Sequence, residues 1–336
     1  MRAILFLAAI GVASAAWAAP LPDDSYMHPA RLVAVDGARR INLFCMGSGR
    51  PTVLFDSGLA DSTIAWLKVQ GEVAKVTRAC SYDRAGLGFS DPRTGESDTK
   101  AIVADIHALL LAAKIGTPIL FVGHSMAGLD ALLLQATWPK DVAGAVLVDP
   151  SFADQFDTSA AAAIAAGAPP TMRQVSLDGY HKDIARLREC AALPVPLPDD
   201  CAHADTRLSP SMAAFQKARE SRPSYLITNA SEYANMLPDA DGKGADQKEL
   251  EAAALGFGDK PLVVLTHGVA PDYPGLTPAQ NAAMEKAWMA GHDKLAALST
   301  RGSNTVVPDS HHSIQRDHPE AVIEAINKAL AEIRAR

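Results

Sequence analysis

Short continuous runs of apolar residues alternate along the chain with stretches whose apolar residues recur at helical spacing. Continuous runs of about four to eight apolar residues are typical of strands buried on both faces of a sheet. These runs occupy residues 51–56, 78–82, 119–122, 143–148, 261–266 and 304–307. Two earlier runs, 31–36 and 39–45, are joined by a turn at Gly37 and predict a hairpin.

Helical periodicity follows most of these strands. The clearest example, residues 100–115, carries apolar side chains on one face and ends before Gly116-Thr117-Pro118. Similar patterns predict helices at residues 64–76, 277–298 and 319–333. Strands that alternate with helices predict an α/β domain, in which a mainly parallel sheet is flanked by helices.

The alternation stops between residues 151 and 258. This segment is rich in alanine and interrupted by proline, it contains no clear buried strand, and parts of it (180–190, 211–219) have helical spacing. We therefore predict a mostly helical cap domain at 151–258, inserted between two parts of one core domain, 19–150 and 259–336.

The first 18 residues have the features of a cleavable signal peptide. A positive start at Met1-Arg2 precedes an apolar run, and Ala16-Trp17-Ala18 forms an A-x-A cleavage site. No later segment is long enough to span a bilayer. The sequence therefore predicts a periplasmic or secreted protein whose mature chain begins near Ala19.

Charge and cysteine content narrow the function classes further. The 336 residues carry a net charge of −7 without a clustered basic stretch, which argues against a nucleic-acid partner. The four cysteines are expected to form disulfides in an oxidising compartment, and their spacing suggests Cys45–Cys80 and Cys190–Cys201. The sequence contains no Cys-x-x-Cys or histidine-rich ligand spacing, so no metal is expected. The oligomeric state stays open.

A lone serine lies where an apolar strand turns directly into an apolar helix, in Gly123-His124-Ser125-Met126-Ala127-Gly128. This arrangement is a nucleophile elbow, whose strained turn needs small residues two positions before and two after the serine. Gly123 and Ala127 meet that requirement. Ser125 would then stand at the carboxyl end of a strand and at the positive end of the following helix, where it is a candidate nucleophile.

Four segments together resemble the α/β-hydrolase fold serine hydrolases. They are the elbow GHSMAG, the loop DSGLA at 56–60, YDRAGLGFS at 82–90, and the tail HHSIQRDHPEAVIEAI at 311–326. The resemblance covers nearly the whole predicted mature chain. It implies an α/β-hydrolase fold with a helical cap inserted between strands 6 and 7, and triad residues in the chain order Ser, acid, His.

The same resemblance supplies the other catalytic candidates. The tail pattern favours His312 as the base, because Gln315 and Pro319 follow it at the family's spacing. His311, which stands where a glycine is usual, is the competing candidate. Asp272, beyond the seventh strand, is slightly favoured as the acid. Asp149, directly after the sixth strand, is the alternative.

Attack on a carbonyl creates an oxyanion that needs two preorganised donors, and the resemblance assigns them to the backbone N–H groups of Leu59 and Met126. Asp83 and Arg84 are expected to pair beneath the site, and Trp288 to lie in the core. The remaining histidines are expected to be surface or packing residues: His28, His107, His181, His203, His267, His292 and His318.

These features predict an exported serine hydrolase that cleaves a small-molecule carboxylic ester through an acyl-enzyme intermediate and needs no cofactor. The elbow does not separate esters from amides, lactones or C–C bonds beside a ketone, because the cap and pocket select the substrate. Amidase, lactonase and C–C hydrolase activities therefore remain alternatives. A non-catalytic binding protein on the same scaffold is a more distant one.

Overall fold

The computed structural model describes residues 23–202, 205–239 and 241–336. The predicted signal peptide, residues 1–18, lies outside the described residues. Within the described ranges, none of the helices combines the length and the apolar character needed to cross a membrane.

Eight strands form one sheet across the described chain, in the order β1-β2-β4-β3-β5-β6-β7-β8. The strands are β1 (Arg31–Ala34), β2 (Arg40–Met46), β3 (Val53–Asp56), β4 (Ala79–Tyr82), β5 (Ile119–His124), β6 (Val142–Val148), β7 (Leu262–His267) and β8 (Gly302–Val307). The pairings β1–β2 and β2–β4 are antiparallel, and every later pairing is parallel. The predicted hairpin and mainly parallel sheet are confirmed.

Eleven α-helices accompany the sheet within the described ranges. They are α1 (Gln70–Val73), α2 (Thr99–Ala113), α3 (Ala127–Thr137), α4 (Gln155–Ala165), α5 (Met172–Ala191), α6 (Pro210–Glu220), α7 (Pro223–Met236), α8 (Ala245–Glu251), α9 (Pro278–Ala296), α10 (Ile314–Asp317) and α11 (Pro319–Arg334). The helix predicted at 64–76 is instead a 3-10 turn, Thr63–Trp66, followed by the short α1. Trp66 is buried there against Phe55, with ring centroids 4.9 Å apart, so packing overrides the helical pattern.

Helices cover both faces of the sheet because successive side chains of a strand point to opposite faces. In β3, Leu54 packs into the cluster that contains Ile106 of α2 and Leu132 of α3. Its neighbours Val53 and Phe55 pack into the cluster on the other face, together with α11. All residues of β3, β5 and β7 are buried, as their continuous apolar runs require.

Five helices, α4 to α8, lie between β6 and β7 and make up the segment that we call the insertion, residues 151–258. Part of the insertion has its own core, in which Leu177 and Ile184 of α5 pack on Ala230 of α7. The disulfides join Cys45 to Cys80 within the sheet and Cys190 to Cys201 within the insertion, which confirms both predicted pairings.

Candidate active site

The elbow between β5 and α3 presents Ser125 at the carboxyl edge of the sheet. Ser125 has a positive φ of 53°. A Cβ on Gly123 would lie 2.8 Å from the carbonyl oxygen of Ala127, and one on Gly128 would lie 2.6 Å from Pro150 Cβ. Small residues are therefore required at these positions, and Ala127 is accommodated as the first residue of α3.

His312, in the loop after β8, links Ser125 to Asp149. Its Nε2 lies 2.9 Å from Ser125 Oγ, and its Nδ1 lies 2.5 Å from Asp149 Oδ2. The His312 side chain is 50% exposed, whereas that of Asp149 is fully buried at 0%. The imidazole therefore faces both solvent and the serine hydroxyl, while its carboxylate partner is shielded from water.

The carboxylate that reaches His312 is that of Asp149, and not that of Asp272, which the sequence analysis slightly favoured. Asp272 is exposed and accepts a hydrogen bond of 2.7 Å from Asn281 Nδ2. Asp149 adopts a positive φ of 45° directly after β6, and its N–H donates to Leu265 of β7 over 2.7 Å. This tight turn aims the Asp149 carboxylate along the edge of the sheet towards His312.

The loop after β3 lies directly against Ser125. A Cβ on Gly58 would lie 2.8 Å from His124 Nδ1 and 3.2 Å from Ser125 Cβ, so a side chain at this position would push the loop away. The N–H groups of Leu59 and Met126 have no backbone acceptor among the described residues. The prediction that these two groups bind an oxyanion stays a prediction.

Arg84 binds the backbone of the loop after β3. Its guanidinium donates to the carbonyl oxygens of Ser57 and Gly58, 2.5 and 2.6 Å away, and contacts Asp56 at 2.9 Å and Glu232 of α7 at 2.7 Å. Burial opposes the charge of Arg84, but Glu232 and Asp56 outweigh it and raise the pKa of the guanidinium. The hydrogen bond to Gly58 orients the peptide group whose N–H belongs to Leu59.

The expected pairing of Arg84 with Asp83 is wrong. The Asp83 carboxylate instead accepts hydrogen bonds from Asn42 Nδ2 and from the backbone N–H groups of Thr63 and Phe89. These three contacts keep the Asp83 carboxylate away from Arg84. Arg84 therefore finds its partners on β3 and on the insertion.

We expect Arg84→Met to lower the free energy of unfolding by about 3–5 kcal/mol, because it leaves two buried carboxylates without their counter-charge. Urea denaturation of the purified protein measures this change. The matched control is Arg40→Met, which breaks the exposed contact with Asp91 and should leave the unfolding midpoint nearly unchanged. Equal midpoints for the two variants would contradict the importance of the buried contacts.

His124, the residue before Ser125, contacts the backbone of His312. Its Nε2 lies 3.0 Å from the carbonyl oxygen of His312, and its buried Nδ1 has no hydrogen-bond partner in the part of the chain that the structure describes. Burial and the nearby His312 lower the pKa of His124 to about 3. His124 is therefore a neutral imidazole that donates from Nε2 and holds the backbone of His312.

Sequence reasoning missed three residues that contact Asp149 or its neighbours. His267 Nδ1 lies 2.7 Å from Asp149 Oδ2, and Trp288 Nε1 donates to Asp149 Oδ1 over 3.1 Å. Glu285 Oε2 lies 3.1 Å from the remaining ring nitrogen of His267. The expectation that His267 is a surface or packing residue is thus corrected, since it binds the Asp149 carboxylate. Trp288 packs against the main core cluster, as expected, and also donates to Asp149.

Two sequence signals could have pointed to these residues. His267 is the last residue of β7, and side chains at the carboxyl ends of parallel strands meet at one edge of the sheet. Glu285 and Trp288 are three positions apart on α9 and therefore share a helix face. Neither signal, however, identifies Asp149 as the shared partner.

Hydrogen bonds decide the charge state of Asp149. Burial opposes its ionisation, but the hydrogen bonds from His267 and His312 outweigh burial and hold the pKa of Asp149 well below its usual range. Asp149 is therefore ionised at any pH at which the protein is expected to work, and it can stabilise a positive charge on His312.

A cavity of about 340 Å³ opens beside His312. Apolar side chains, among them Val269, Met284 and Trp288, form part of its wall, and Ser159 of the insertion also lines it. A smaller cavity of about 170 Å³ between α4 and α5 shares Ser159 and Met284 with the first one. The site thus has room for a small molecule with an apolar portion.

Three side chains of the site are spaced as metal ligands can be. One donor atom each from Asp149, His267 and His312 lies within 4.8 Å of the others. The contacts of 2.5 and 2.7 Å from the two Nδ1 atoms to one carboxylate oxygen are those of N–H···O bonds. A bound metal would have to replace both protons. The three residues therefore form a hydrogen-bonded cluster.

Comparison with known proteins agrees with this architecture. The profile of the alpha/beta hydrolase family matches residues 53–325. The uncharacterised protein YqjL of Bacillus subtilis is 22% identical over 295 residues, which cover 87% of this chain and 88% of YqjL.

Solved structures share the fold at low sequence identity. Est816, described as an N-acyl homoserine lactone degrading enzyme, has 22% identity and a TM-score of 0.55, with 89% of this chain and 99% of Est816 covered. An alpha/beta hydrolase fold protein from Burkholderia ambifaria has 20% identity and a TM-score of 0.57, with 89% and 98% covered. The predicted α/β-hydrolase fold is confirmed, and the chain belongs to the alpha/beta hydrolase family.

Proposed function

We propose that the protein is a serine hydrolase that cleaves carboxylic esters through an acyl-enzyme intermediate. The observation that carries the proposal is the continuous contact from Ser125 Oγ to His312 Nε2 and from His312 Nδ1 to Asp149, at 2.9 and 2.5 Å. A serine hydroxyl becomes a nucleophile when a base accepts its proton and a third group orients that base.

The proposed reaction begins when Ser125 Oγ attacks the ester carbonyl carbon and His312 Nε2 takes the hydroxyl proton. The N–H groups of Leu59 and Met126 bind the oxyanion, and Asp149 stabilises the imidazolium of His312. His312 then gives the proton to the leaving alkoxide, which departs as an alcohol. Water attacks the acyl group on Ser125, with His312 again as base, and releases the carboxylic acid.

Asp149 takes the role of the acid in this proposal, in place of Asp272. The apolar wall of the 340 Å³ cavity suits an apolar acyl or alcohol portion of the substrate. Residues 151–258 are proposed to act as the cap, since Ser159 of α4 lines that cavity. Export is also part of the proposal, because an oxidising compartment suits the two disulfides.

The test uses mature protein, residues 19–336, with p-nitrophenyl esters of increasing acyl length and with a fluorophosphonate probe whose adduct is located by peptide mass mapping. We expect ester turnover and an adduct on Ser125. An adduct without ester turnover would mean that the substrate contains a lactone, an amide or a cleavable C–C bond in place of the ester. If neither turnover nor an adduct is found, the chain is a binding protein and the proposal is wrong.

A further inference from the structure

Asp149 receives two imidazoles on one carboxylate oxygen, whereas the proposed mechanism uses only one of them. His312 Nδ1 and His267 Nδ1 both contact Asp149 Oδ2, at 2.5 and 2.7 Å. The backbone N–H of His267 and the indole N–H of Trp288 occupy Oδ1, at 3.2 and 3.1 Å. The imidazole of His267 therefore lies in the site but takes no part in proton transfer from Ser125.

The contacts of His267 define its protonation state. Each of its ring nitrogens faces a carboxylate oxygen, Nδ1 that of Asp149 and Nε2 that of Glu285, 3.1 Å away. Ionised carboxylates only accept hydrogen bonds, so both ring nitrogens must carry protons and the ring must be positively charged. Burial disfavours that charge, but the hydrogen bonds to Asp149 and Glu285 outweigh it and raise the pKa of His267 to about 10.

We propose that His267 is a positioning residue that fixes the Asp149 carboxylate and, as an imidazolium, places a second positive charge beside the one that His312 gains when it accepts the Ser125 proton. This inference rests on the proposed function, in which His312 is the base. The facing atoms of the Asp149, His267 and His312 side chains lie within 4.8 Å of one another, and His267 is only 5% exposed. A buried positive charge at this distance disfavours a second one on His312.

Other titratable groups around the cluster do not change the sign of this effect. Glu285 of α9 is the counter-ion of His267, and His292 of α9 lies 4.0 Å from Asp149 Oδ1. Burial lowers the pKa of His292, as it does that of His124 on the other side of His312, and so disfavours a positive charge on either ring. His311 and Tyr273 line the adjacent cavity.

The sign of the pH effect follows from the charge. With His267 charged, a proton on His312 brings two positive charges to one carboxylate. Removing the charge of His267 takes that repulsion away. The acidic limb of the pH profile of kcat/KM should therefore move to higher pH.

His267→Asn tests this effect, because the asparagine Nδ2 can replace Nδ1 as donor to Asp149 while the positive charge is lost. We expect the midpoint of the acidic limb of kcat/KM to rise by about one pH unit, whatever the height of the plateau above it. The matched control is His107→Asn. His107 also contacts an aspartate, Asp141, at 2.8 Å, but it lies near the amino end of β6. Its variant should keep the wild-type profile.

A uniform loss of kcat/KM in His267→Asn with an unmoved midpoint would overturn the proposal, because it would show a structural role only. A second readout does not depend on turnover. In ¹⁵N NMR of the mature protein, both ring nitrogens of His267 should stay protonated through about pH 8. Loss of a proton below that pH would overturn the proposal, whereas missing ester turnover and a missing adduct on Ser125 would reject only the proposed function.

Discussion

Replacing Ser125 by alanine is expected to lower kcat for ester hydrolysis by about 10⁵- to 10⁶-fold, because the covalent route is lost together with its nucleophile. The remaining rate should come from binding and from the N–H groups of Leu59 and Met126. Ser125 Oγ contacts His312 over 2.9 Å and lies outside the core, so the variant should fold normally. The measurement is turnover of the best p-nitrophenyl ester, with thermal melting followed in parallel.

The matched control for this substitution is Ser48→Ala, which removes an exposed hydroxyl in the turn after β2. Its turnover should equal that of the wild type. If Ser125→Ala kept the wild-type rate and pH profile, hydrolysis would have to come from another residue or from a contaminant. The role proposed for the elbow would then be wrong.

Asp149→Asn is expected to lower kcat by about 10⁴-fold, whereas Asp272→Asn should leave it essentially unchanged. The amide cannot stabilise the imidazolium of His312 as a carboxylate does, and it can hold the ring in the wrong tautomer. Asp272 is exposed and contacts Asn281, so its amide replacement loses little. Steady-state kinetics of both variants, below their melting transitions, gives the comparison.

Both variants change an aspartate that follows a strand of the sheet into asparagine. Comparing them therefore shows which aspartate, Asp149 or Asp272, is the acid of the triad. A large loss in Asp272→Asn together with a small one in Asp149→Asn would reverse the assignment and would require the loop after β7 to move towards His312. Equal losses in both variants would contradict a single acid.

The parts of the site that depend on local sequence were predictable. The sheet follows from continuous apolar runs, and the elbow follows from the small residues around Ser125, since both are short-range effects of sterics and burial. The position of His312 beside Ser125 could be expected from the resemblance of the tail to that of the α/β-hydrolases, since Gln315 and Pro319 follow His312 at the family's spacing. In each case the signal lies within a few residues of the feature that it predicts.

The parts that depend on direction in space were not predictable. Asp149 and Asp272 both follow strands, and the positive φ of Asp149, which turns its carboxylate towards His312, leaves no trace in residue type. The contact between Arg84 and Glu232 joins residues 148 positions apart, so no local pattern indicates it. No role could be predicted for His267 either, because its two carboxylate partners lie on other elements.

The contact of Glu232 with the loop after β3 has a consequence for chimeric design. Glu232 belongs to the insertion, and besides Arg84 it accepts a hydrogen bond of 2.8 Å from the N–H of Ala60, next to Leu59. The insertion is therefore not an interchangeable module. A segment transplanted from another member of the family must bring a carboxylate to the place of Glu232, or the loop that carries Leu59, the proposed oxyanion donor, will lose its support from the insertion.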